Sequence, residues 1–352
     1  MKVIREEKIY KYIVTAMIIF LCAFLTGCGE TDEPEKKDDT VVFTFGGKDV
    51  LVGETYIYYT TVKEKYELLY GADVWQTKVA SGSDSEASAA ELIREDVINE
   101  IVRVKTLVKQ AEKYNIKITD DEEIQIAEEA EAFYKGLTDD DTRQMSIDLE
   151  TVKLVMRENR LAKGVETALL AEDPVEVSDE NARMTRFYDM YFNCFIEDSE
   201  GNIIPFSEEQ KHTQYERAVE ACGELSTVSV DNDNKREQSI EDIAALYSLD
   251  MAQEYTMSPE EIKNVYGEEV HDILYSMSNG EHSTVIETEY GYHVFKMIAL
   301  TDKKATQAKK AVMTEDAIAE RLKSKLTEWR NEIDKNFSYP DSVNMDAYNR
   351  IN

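Results

Sequence analysis

The chain has 352 residues, of which 72 are acidic and 40 are basic, so that it carries a formal net charge of −32. This charge excludes nucleic acid as an expected partner, because contacts to phosphates need a basic face. Hydrophobic residues make up 42% of the chain, enough to bury a core, and the length allows one or two domains with extensions.

Residues 1–27 have the pattern of an export signal, with a basic start followed by an apolar run over 13–25 that is short for a membrane span. The segment Leu25-Thr26-Gly27-Cys28 comes next and resembles a bacterial lipobox. That resemblance implies a lipid on the Cys28 thiol and cleavage just before it. The alternative is an ordinary signal peptide or an uncleaved anchor. Residues 28–40 are polar and charged, and we expect a flexible tether.

Residues 41–182 are expected to form a helical domain behind a short opening hairpin over 41–52. Apolar residues recur at helical spacing over about 56–70, 89–114 and 149–170. The segment Thr119-Asp120-Asp121-Glu122 has the pattern of a capping box and predicts the start of another helix. This order, with LVKQAEKYNIKITDDEE at 107–123, resembles the N-terminal region of SurA- and PrsA-like foldases. The resemblance implies a helical cradle for unfolded exported chains; the alternative is a plain helical domain of any function.

Residues 183–302 mix strands and helices. We predict, in order, a strand over 184–195, helices over 207–223 and 240–247, a short strand over 253–257, a helix over 268–277 and two strands within 283–300. In the last strand, His293, Phe295 and Met297 share one face. Both of its faces are largely apolar, which indicates a central position in a small sheet.

The end of this region carries an extended motif. Its residues are Met277, Gly280, Glu281, Ser283, Thr288, Gly291, Tyr292 and His293. The motif resembles the closing signature of parvulin-type peptidyl-prolyl isomerase domains, and Tyr247-Ser248-Leu249-Asp250 resembles an earlier segment of the same family. The expected fold class is therefore α+β. A helical SurA/PrsA-like domain, built from the N-terminal helices and the C-terminal helix, contains an inserted parvulin-like β-α-α-β-α-β-β domain.

The same resemblance assigns candidate catalytic residues. His293 and Thr288 fall where the family has an inner hydrogen-bond network, and Asp250 falls where the family carries an Asp or Cys near the substrate carbonyl. Tyr191 is expected in the place of the family's first-strand histidine, within bonding reach of His293. Without the motif, the alternative interpretation is that His293 is a core histidine, Thr288 a strand hydroxyl and Asp250 a turn residue.

The expected proline pocket departs from the family. Tyr266 and Val270 stand where the family has a Met and a Phe, and MAQEYTMSP replaces a Gly-Gly-x-Leu-Gly segment. Met257 and Tyr275 complete the expected substrate-binding set. We therefore expect a pocket that is degraded or rebuilt. The four histidines lack metal-ligand spacing, and we expect neither a metal nor a cofactor.

Residues 303–337 are predicted to form one long helix with a regular apolar stripe that includes Ile318, Leu322 and Trp329. The stripe needs a partner, which is either a second copy in a coiled coil or, as the family resemblance implies and as we favour, the N-terminal helices. Residues 338–352 are expected to be a loose tail. Cys194 and Cys222 are either paired or buried as free thiols.

Three functions are compatible with these patterns. The first is a lipid-anchored foldase on the outer face of the bacterial cytoplasmic membrane, with parvulin-type isomerase activity on unfolded exported polypeptides. The second is a holdase of the same shape without catalysis. The third is a solute-binding lipoprotein, which would need two α/β lobes that the predicted elements do not supply.

Overall fold

The computed structural model describes residues 39–81, 85–226, 239–247, 249 and 252–351. The predicted signal, Cys28, most of the tether and Asp250 lie outside these residues. The described chain forms two compact units: residues up to Val175 together with those from Glu315 onward, and Glu176–Thr314. The predicted insertion of an α+β domain into a helical one is confirmed.

The elements of the chain follow a simple order. The first unit begins with strands β1 (Val41–Phe45) and β2 (Lys48–Leu51), helix α1 (Val52–Tyr70), a 3-10 turn (Ala72–Gln76), strands β3 (Lys78–Ser81) and β4 (Ser85–Ser88), and helices α2 (Ala89–Gln110), α3 (Asp120–Gly136), α4 (Asp139–Gln144) and α5 (Leu149–Glu172). The second unit contains β5 (Thr185–Asn193), β6 (Phe195–Glu197), β7 (Ile203–Pro205), α6 (Glu208–Ser226), α7 (Ile240–Leu246), β8 (Gln253–Met257), α8 (Pro259–Tyr266), α9 (Glu268–Ser276), β9 (Ile286–Thr288) and β10 (Gly291–Ala299). Helices α10 (Lys303–Asp334) and α11 (Met345–Tyr348) complete the chain.

Local sequence explains where several helices begin. Thr119 caps α3 as predicted, with its hydroxyl accepting from the Glu122 amide while the Glu122 carboxylate accepts from the Thr119 amide. Ser88 and Glu91 form the same reciprocal pair at the start of α2. In the described part of the chain, no helix combines the length and apolar character needed to cross a membrane.

The C-terminal helix α10 belongs to the core of the first unit from Glu315 onward. Leu322 and Trp329 are buried with residues of β1, α1, α2 and α5, and the Trp329 ring meets the edge of Tyr114 at 5.9 Å. Arg321 forms an ion pair with Asp173 at 3.0 Å at the end of α5. The stripe therefore packs against the N-terminal helices, as we expected from the family resemblance.

The expectation of a loose tail after Phe337 is wrong. Tyr348 and Ile351 are completely buried, and Val343 forms a β-bridge with Phe43. Arg94 on α2 donates to the Tyr348 carbonyl at 2.7 Å and to the Ile351 carbonyl at 2.9 Å. The tail is mostly polar in sequence, but its few apolar side chains fit the core of the first unit. Arg94 donates hydrogen bonds to two of its carbonyl groups.

A buried ion triad joins α1, α2 and α5 in the first unit. The Lys105 ammonium lies 2.5 Å from Glu54 Oε1 and 2.6 Å from Glu158 Oε2, and all three residues are less than 10% exposed. Burial alone would lower the pKa of Lys105, but the two carboxylates outweigh it and raise that pKa. Burial raises the pKa of Glu54 more than the nearby ammonium lowers it. The lysine is the only positive charge in the triad, so the two carboxylates depend on it.

The second unit is built on a four-stranded antiparallel sheet with the strand order β8-β5-β10-β9. One face packs on α6 and α7 through Met190, Phe192 and Val294. The other face packs on α8 and α9 through Phe187, Phe295 and Met297. This confirms the predicted alternation of the last strand and its central position. The hairpin formed by β6 and β7 was not predicted.

Cys194 and Cys222 are not joined by a disulfide bond in this structure. Cys194 is buried and Cys222 is half-buried, and burial raises the pKa of both thiols. Of the two states left open by the sequence, the structure holds the one in which the two cysteines are not paired with each other.

We expect Lys105→Met to destabilise the protein by about 3–5 kcal/mol, because it leaves two carboxylates buried without a counter-charge. Replacing all three members together, as in Glu54→Leu/Lys105→Met/Glu158→Leu, should restore stability to near the starting value or above it. Urea denaturation followed by circular dichroism measures both. The exposed Lys109→Met on the same helix is the control and should stay within about 0.5 kcal/mol. Equal stability of Lys105→Met and the control would contradict this account.

Candidate functional site

The imidazole of His293 lies inside the second unit, at one end of the four-stranded sheet. It projects from β10, where His293 is paired with Tyr191 of β5 and with Ile286 of β9. The residue is 6% exposed. The sequence-based expectation of an inward-facing ring on a central strand agrees with this position.

Asp189 of β5 holds one side of the ring. Both of its carboxylate oxygens lie 3.0 Å from His293 Nδ1, and the residue is 3% exposed. The Tyr266 hydroxyl of α8 donates to Asp189 Oδ2 at 3.3 Å. A carboxylate buried on an apolar face needs such partners, because desolvation without them is costly. The Nδ1 atom therefore carries a proton when Asp189 is ionised, since a carboxylate only accepts.

Thr288 of β9 holds the opposite side of the ring. Its Oγ1 lies 3.1 Å from His293 Nε2 and 3.1 Å from the carbonyl oxygen of Gly291. The single hydroxyl proton serves either Nε2 or that carbonyl, so the hydroxyl either donates to a neutral ring or accepts from a protonated one. In both arrangements each ring nitrogen has a partner, and the ring is fixed in orientation.

Gly291 makes the close approach of the strands possible. It stands at the start of β10 with φ +157°, and a Cβ at this position would collide with the carbonyl oxygen of Phe192 on β5. A larger residue would force the strands apart beside the imidazole. The lack of space for a Cβ thus explains why the sequence motif has a glycine at this position.

Aromatic rings enclose the imidazole. Tyr191 stacks on it with centroids 4.5 Å apart and an interplanar angle of 14°, and Phe295 lies parallel on the same strand at 5.4 Å. Tyr266 meets it edge-on at 5.7 Å. Burial raises the pKa of Tyr191 to about 12, and burial together with the Asp189 charge raises the pKa of Tyr266 well above its usual range. Both phenols are therefore neutral donors at physiological pH.

The expected role of Tyr191 needs correction. Its hydroxyl donates to the carbonyl oxygen of Tyr290 at 2.9 Å and not to the imidazole. Asp189, two residues earlier on the same face of β5, makes the hydrogen bond that we expected from position 191. Alternate residues of a strand share a face, so the predicted position 191 lies on the correct face. The residue that bonds to the ring is two positions nearer the start of β5.

The expected substrate-binding residues are not all together. Tyr266 contacts the imidazole, and Val270 is buried in the same core cluster as Phe295 and Ile262. Tyr275 instead bonds to Thr185 at 3.0 Å, and Met257 pairs with Thr185 at the far end of β5. Thr185 is six residues from Tyr191, which is about 20 Å along a strand. Asp250 lies outside the described residues.

Sequence reasoning missed Asp189. The available signal was a single acidic residue within the otherwise apolar core of RFYDMYFN. A charge at an inward position of a central strand requires a partner, and His293 was the obvious candidate. Only the register of β5 against β10 shows that the two meet.

The site combines a fixed hydrogen-bond chain with aromatic walls, which suits catalysis without a covalent intermediate. Among the described residues, Thr288 is the only one whose hydroxyl bonds to the ring, and it also bonds to a backbone carbonyl. Within the described ranges, no group of three or more His, Cys, Asp or Glu side chains is arranged to hold a metal ion.

Comparison with known proteins identifies the domain to which most of this site belongs. Residues 206–299 match the family model described as Rotamase, PPIC-type PPIASE domain. This range contains Tyr266, Thr288 and His293, whereas β5 with Asp189 precedes it.

Relatives match over most of the chain. The foldase protein PrsA of Caldanaerobacter subterraneus subsp. tengcongensis is 24% identical over 299 residues, covering 83% of each chain. The foldase protein PrsA of Clostridium perfringens (strain ATCC 13124) is 21% identical over 341 residues, covering 92% of this chain and 94% of the relative. A solved structure of a peptidylprolyl isomerase (PrsA) from Bacillus cereus aligns over 78% of this chain and 98% of its own, at 14% identity and a TM-score of 0.25. The chain therefore carries a PPIC-type rotamase domain of the parvulin kind within a sequence that is similar to PrsA foldases over most of its length.

Proposed function

We propose that this protein is a lipid-anchored extracytoplasmic foldase whose inserted domain isomerises X–Pro peptide bonds of exported polypeptides. The observation that carries the proposal is the hydrogen-bonded chain Asp189–His293–Thr288 at one end of the sheet, in which Asp189 and His293 are buried. His293 and Thr288 lie within the residues that match the rotamase family. The helical unit is proposed to hold unfolded clients.

The reaction sets modest chemical demands. Rotation about an X–Pro bond is opposed by a barrier of about 20 kcal/mol that arises from amide resonance. An enzyme lowers this barrier by favouring the twisted amide, whose nitrogen has lost conjugation, through fixed dipoles beside an apolar slot. A rigid network stabilises the twisted amide better than a mobile one, because its dipoles are oriented before the substrate binds.

The residues around the imidazole, and the predicted Asp250, have proposed parts. His293 and Thr288 fix the polar floor of the site, and Asp189 sets which ring nitrogen carries the proton. Tyr191 contributes a stacked wall, and its hydroxyl is committed to the Tyr290 carbonyl. Asp250 is proposed, from the family resemblance, to face the substrate carbonyl.

A holdase without isomerase activity is the second candidate, and Tyr266 favours it. Its ring meets both His293 and Phe295 edge-on, and its hydroxyl is bonded to Asp189, so the tyrosine occupies space over the network. A proline ring needs space of this kind in an apolar slot. The two candidates differ in whether Tyr266 leaves enough room.

Export and anchoring are proposed from residues 1–28. The basic start, the apolar run and the lipobox-like Leu25–Cys28 support cleavage before Cys28 and attachment of a lipid to its thiol. Two or more acyl chains are enough for stable membrane attachment without a spanning helix. The outer face of the cytoplasmic membrane is the location that fits a foldase of newly exported chains.

We expect the protein to accelerate cis–trans exchange in a short X–Pro peptide, measured by a protease-coupled assay. His293→Ala should lower kcat/KM by about tenfold to hundredfold, a loss of about 1.4–2.7 kcal/mol of transition-state stabilisation. Asp189→Asn should produce a smaller loss, because the amide keeps an acceptor for Nδ1–H but loses the charge.

The matched control is His271→Ala, which removes a histidine of the same domain whose ring lies against Tyr275 and not in the network. It should leave kcat/KM unchanged. If the wild-type protein accelerates nothing but still suppresses aggregation of an unfolded client, the holdase candidate replaces the isomerase.

Cys28→Ser should abolish membrane attachment while leaving the folded part intact. We expect the wild-type protein to fractionate with membranes and to incorporate a radiolabelled fatty acid, and the variant to do neither. Cys22→Ser, which changes the cysteine within the predicted signal, is the control and should behave as the wild type. A wild-type chain that carries no label would refute the lipid anchor without affecting the isomerase proposal.

A further inference from the structure

The hairpin of β6 and β7 is an addition to the predicted domain and stands apart from its main sheet. It pairs Phe195 with Pro205, Ile196 with Ile204 and Glu197 with Ile203. Within the described residues each of its strands pairs only with the other, so the hairpin is a separate two-stranded sheet with two outer edges. Such a ribbon is marginally stable in isolation, and an added strand would extend it.

Exposed isoleucines cover both faces of this hairpin. Ile196 is 54% and Ile204 is 44% exposed, and they lie opposite each other on one face. Ile203 is 54% exposed on the other face. A cluster of large aliphatic side chains in water marks an interaction surface more often than a single exposed residue does. Because successive side chains of an extended peptide point to opposite faces, a ribbon that is apolar on both faces suits an added strand.

The hairpin is continuous with the imidazole site. The Phe195 ring meets the edge of Tyr290 at 6.1 Å, and Tyr290 is 47% exposed. The Tyr290 carbonyl accepts from the Tyr191 hydroxyl, whose ring stacks on His293. Aromatic groups thus connect the exposed isoleucines to the enclosed histidine at the same end of the sheet.

The charges around this surface are predominantly acidic. Glu197 and Glu200 on the hairpin and Glu287 and Glu289 beside Tyr290 are all exposed. The nearby cation Lys211 is paired with Glu208 at 3.0 Å. A symmetric contact with a second copy would bring the same acidic groups together, and an anionic membrane would be repelled. The complementary partner is an apolar segment that carries Lys or Arg.

We propose that the β6–β7 hairpin docks an extended, apolar and basic segment of an unfolded polypeptide by strand addition, next to the His293 site. The client's alternate side chains lie on the two isoleucine faces, and its cations lie against the glutamates. This deepens the proposed function, on which it rests for the nature of the client. It adds a binding site that holds the chain while a neighbouring X–Pro bond is presented.

The test uses two fluorescent peptides of equal length without proline. In one, aliphatic residues alternate with Lys; in the other, Glu replaces every Lys. Fluorescence anisotropy with the whole folded protein should show tighter binding of the Lys peptide by at least about tenfold. Ile196→Ser/Ile204→Ser should weaken that binding by about tenfold or more, and Ile203→Ser should weaken it through the other face.

The matched control is Leu246→Ser/Val312→Ser, which removes two aliphatic side chains of the same unit that are 64% and 43% exposed. It should bind the Lys peptide as the wild type does. Thermal unfolding of each variant shows whether it is folded. The comparison of the two peptides is made on the wild-type protein, so it does not depend on whether the variants fold. Equal binding of the two peptides, or unchanged binding by folded hairpin variants, would overturn the docking proposal.

Isomerisation of a short X–Pro peptide, measured on the same proteins, separates this proposal from the proposed function. Such a peptide lacks the extended apolar and basic segment that the hairpin is proposed to bind, so the isoleucine variants should isomerise it at the wild-type rate. In one outcome the wild-type protein binds the Lys peptide and the isoleucine variants lose that binding, while none of these proteins isomerises the X–Pro peptide. That result would support docking and refute the isomerase. A wild-type dimer that becomes monomeric in the isoleucine variants would show that a second copy covers this surface, and would overturn the proposal.

Discussion

The antiparallel pairing of β5 with β10 is the constraint on which the second unit depends. It brings Asp189, Tyr191 and His293 onto one face of the sheet and leaves the opposite face to pack on α6 and α7. A shift of one residue in this pairing would exchange the two faces and place the imidazole against the wrong helices. The close contact at Gly291 maintains the register where it matters for the site, because only a residue without a Cβ fits beside the Phe192 carbonyl.

Each unit buries charged groups, but the two arrangements differ in their chemistry. In the first unit, Lys105 lies between two carboxylates that are near one another and away from solvent. Buried ion pairs of this kind add little net stability but make the loss of one partner expensive. In the second unit, Asp189 is bonded to a side chain that can gain or lose a proton and to a neutral phenol. The first arrangement fixes three helices together, whereas the second fixes one ring in a single orientation.

Binding and catalysis place opposite demands on the surface near His293. A network that accelerates bond rotation has to be rigid and enclosed, and the ring of Tyr266 contributes to that enclosure. A client chain needs an open surface with exposed backbone edges and apolar side chains, which the β6–β7 hairpin supplies. If catalysis and docking are located as we propose, the two functions lie on adjacent elements and each keeps the properties it needs. The aromatic contact between Phe195 and Tyr290 connects them.

The sequence alone determined most of the elements and their order, though not the β6–β7 hairpin, because periodicity and capping act over a few residues. The helices, the capping box at Thr119, the alternation of β10 and the buried position of His293 were all predictable on those grounds. Family resemblance added the insertion of one domain into the other. Only the tertiary structure decided which side chains meet: Asp189 replaced Tyr191 as the partner of the imidazole, and Met257 and Tyr275 lie at the other end of the sheet. The apolar side chains of the tail are buried, and Arg94 donates to two of its carbonyl groups. Those outcomes depend on strand register and on contacts between residues far apart in the chain, neither of which is encoded by a local pattern.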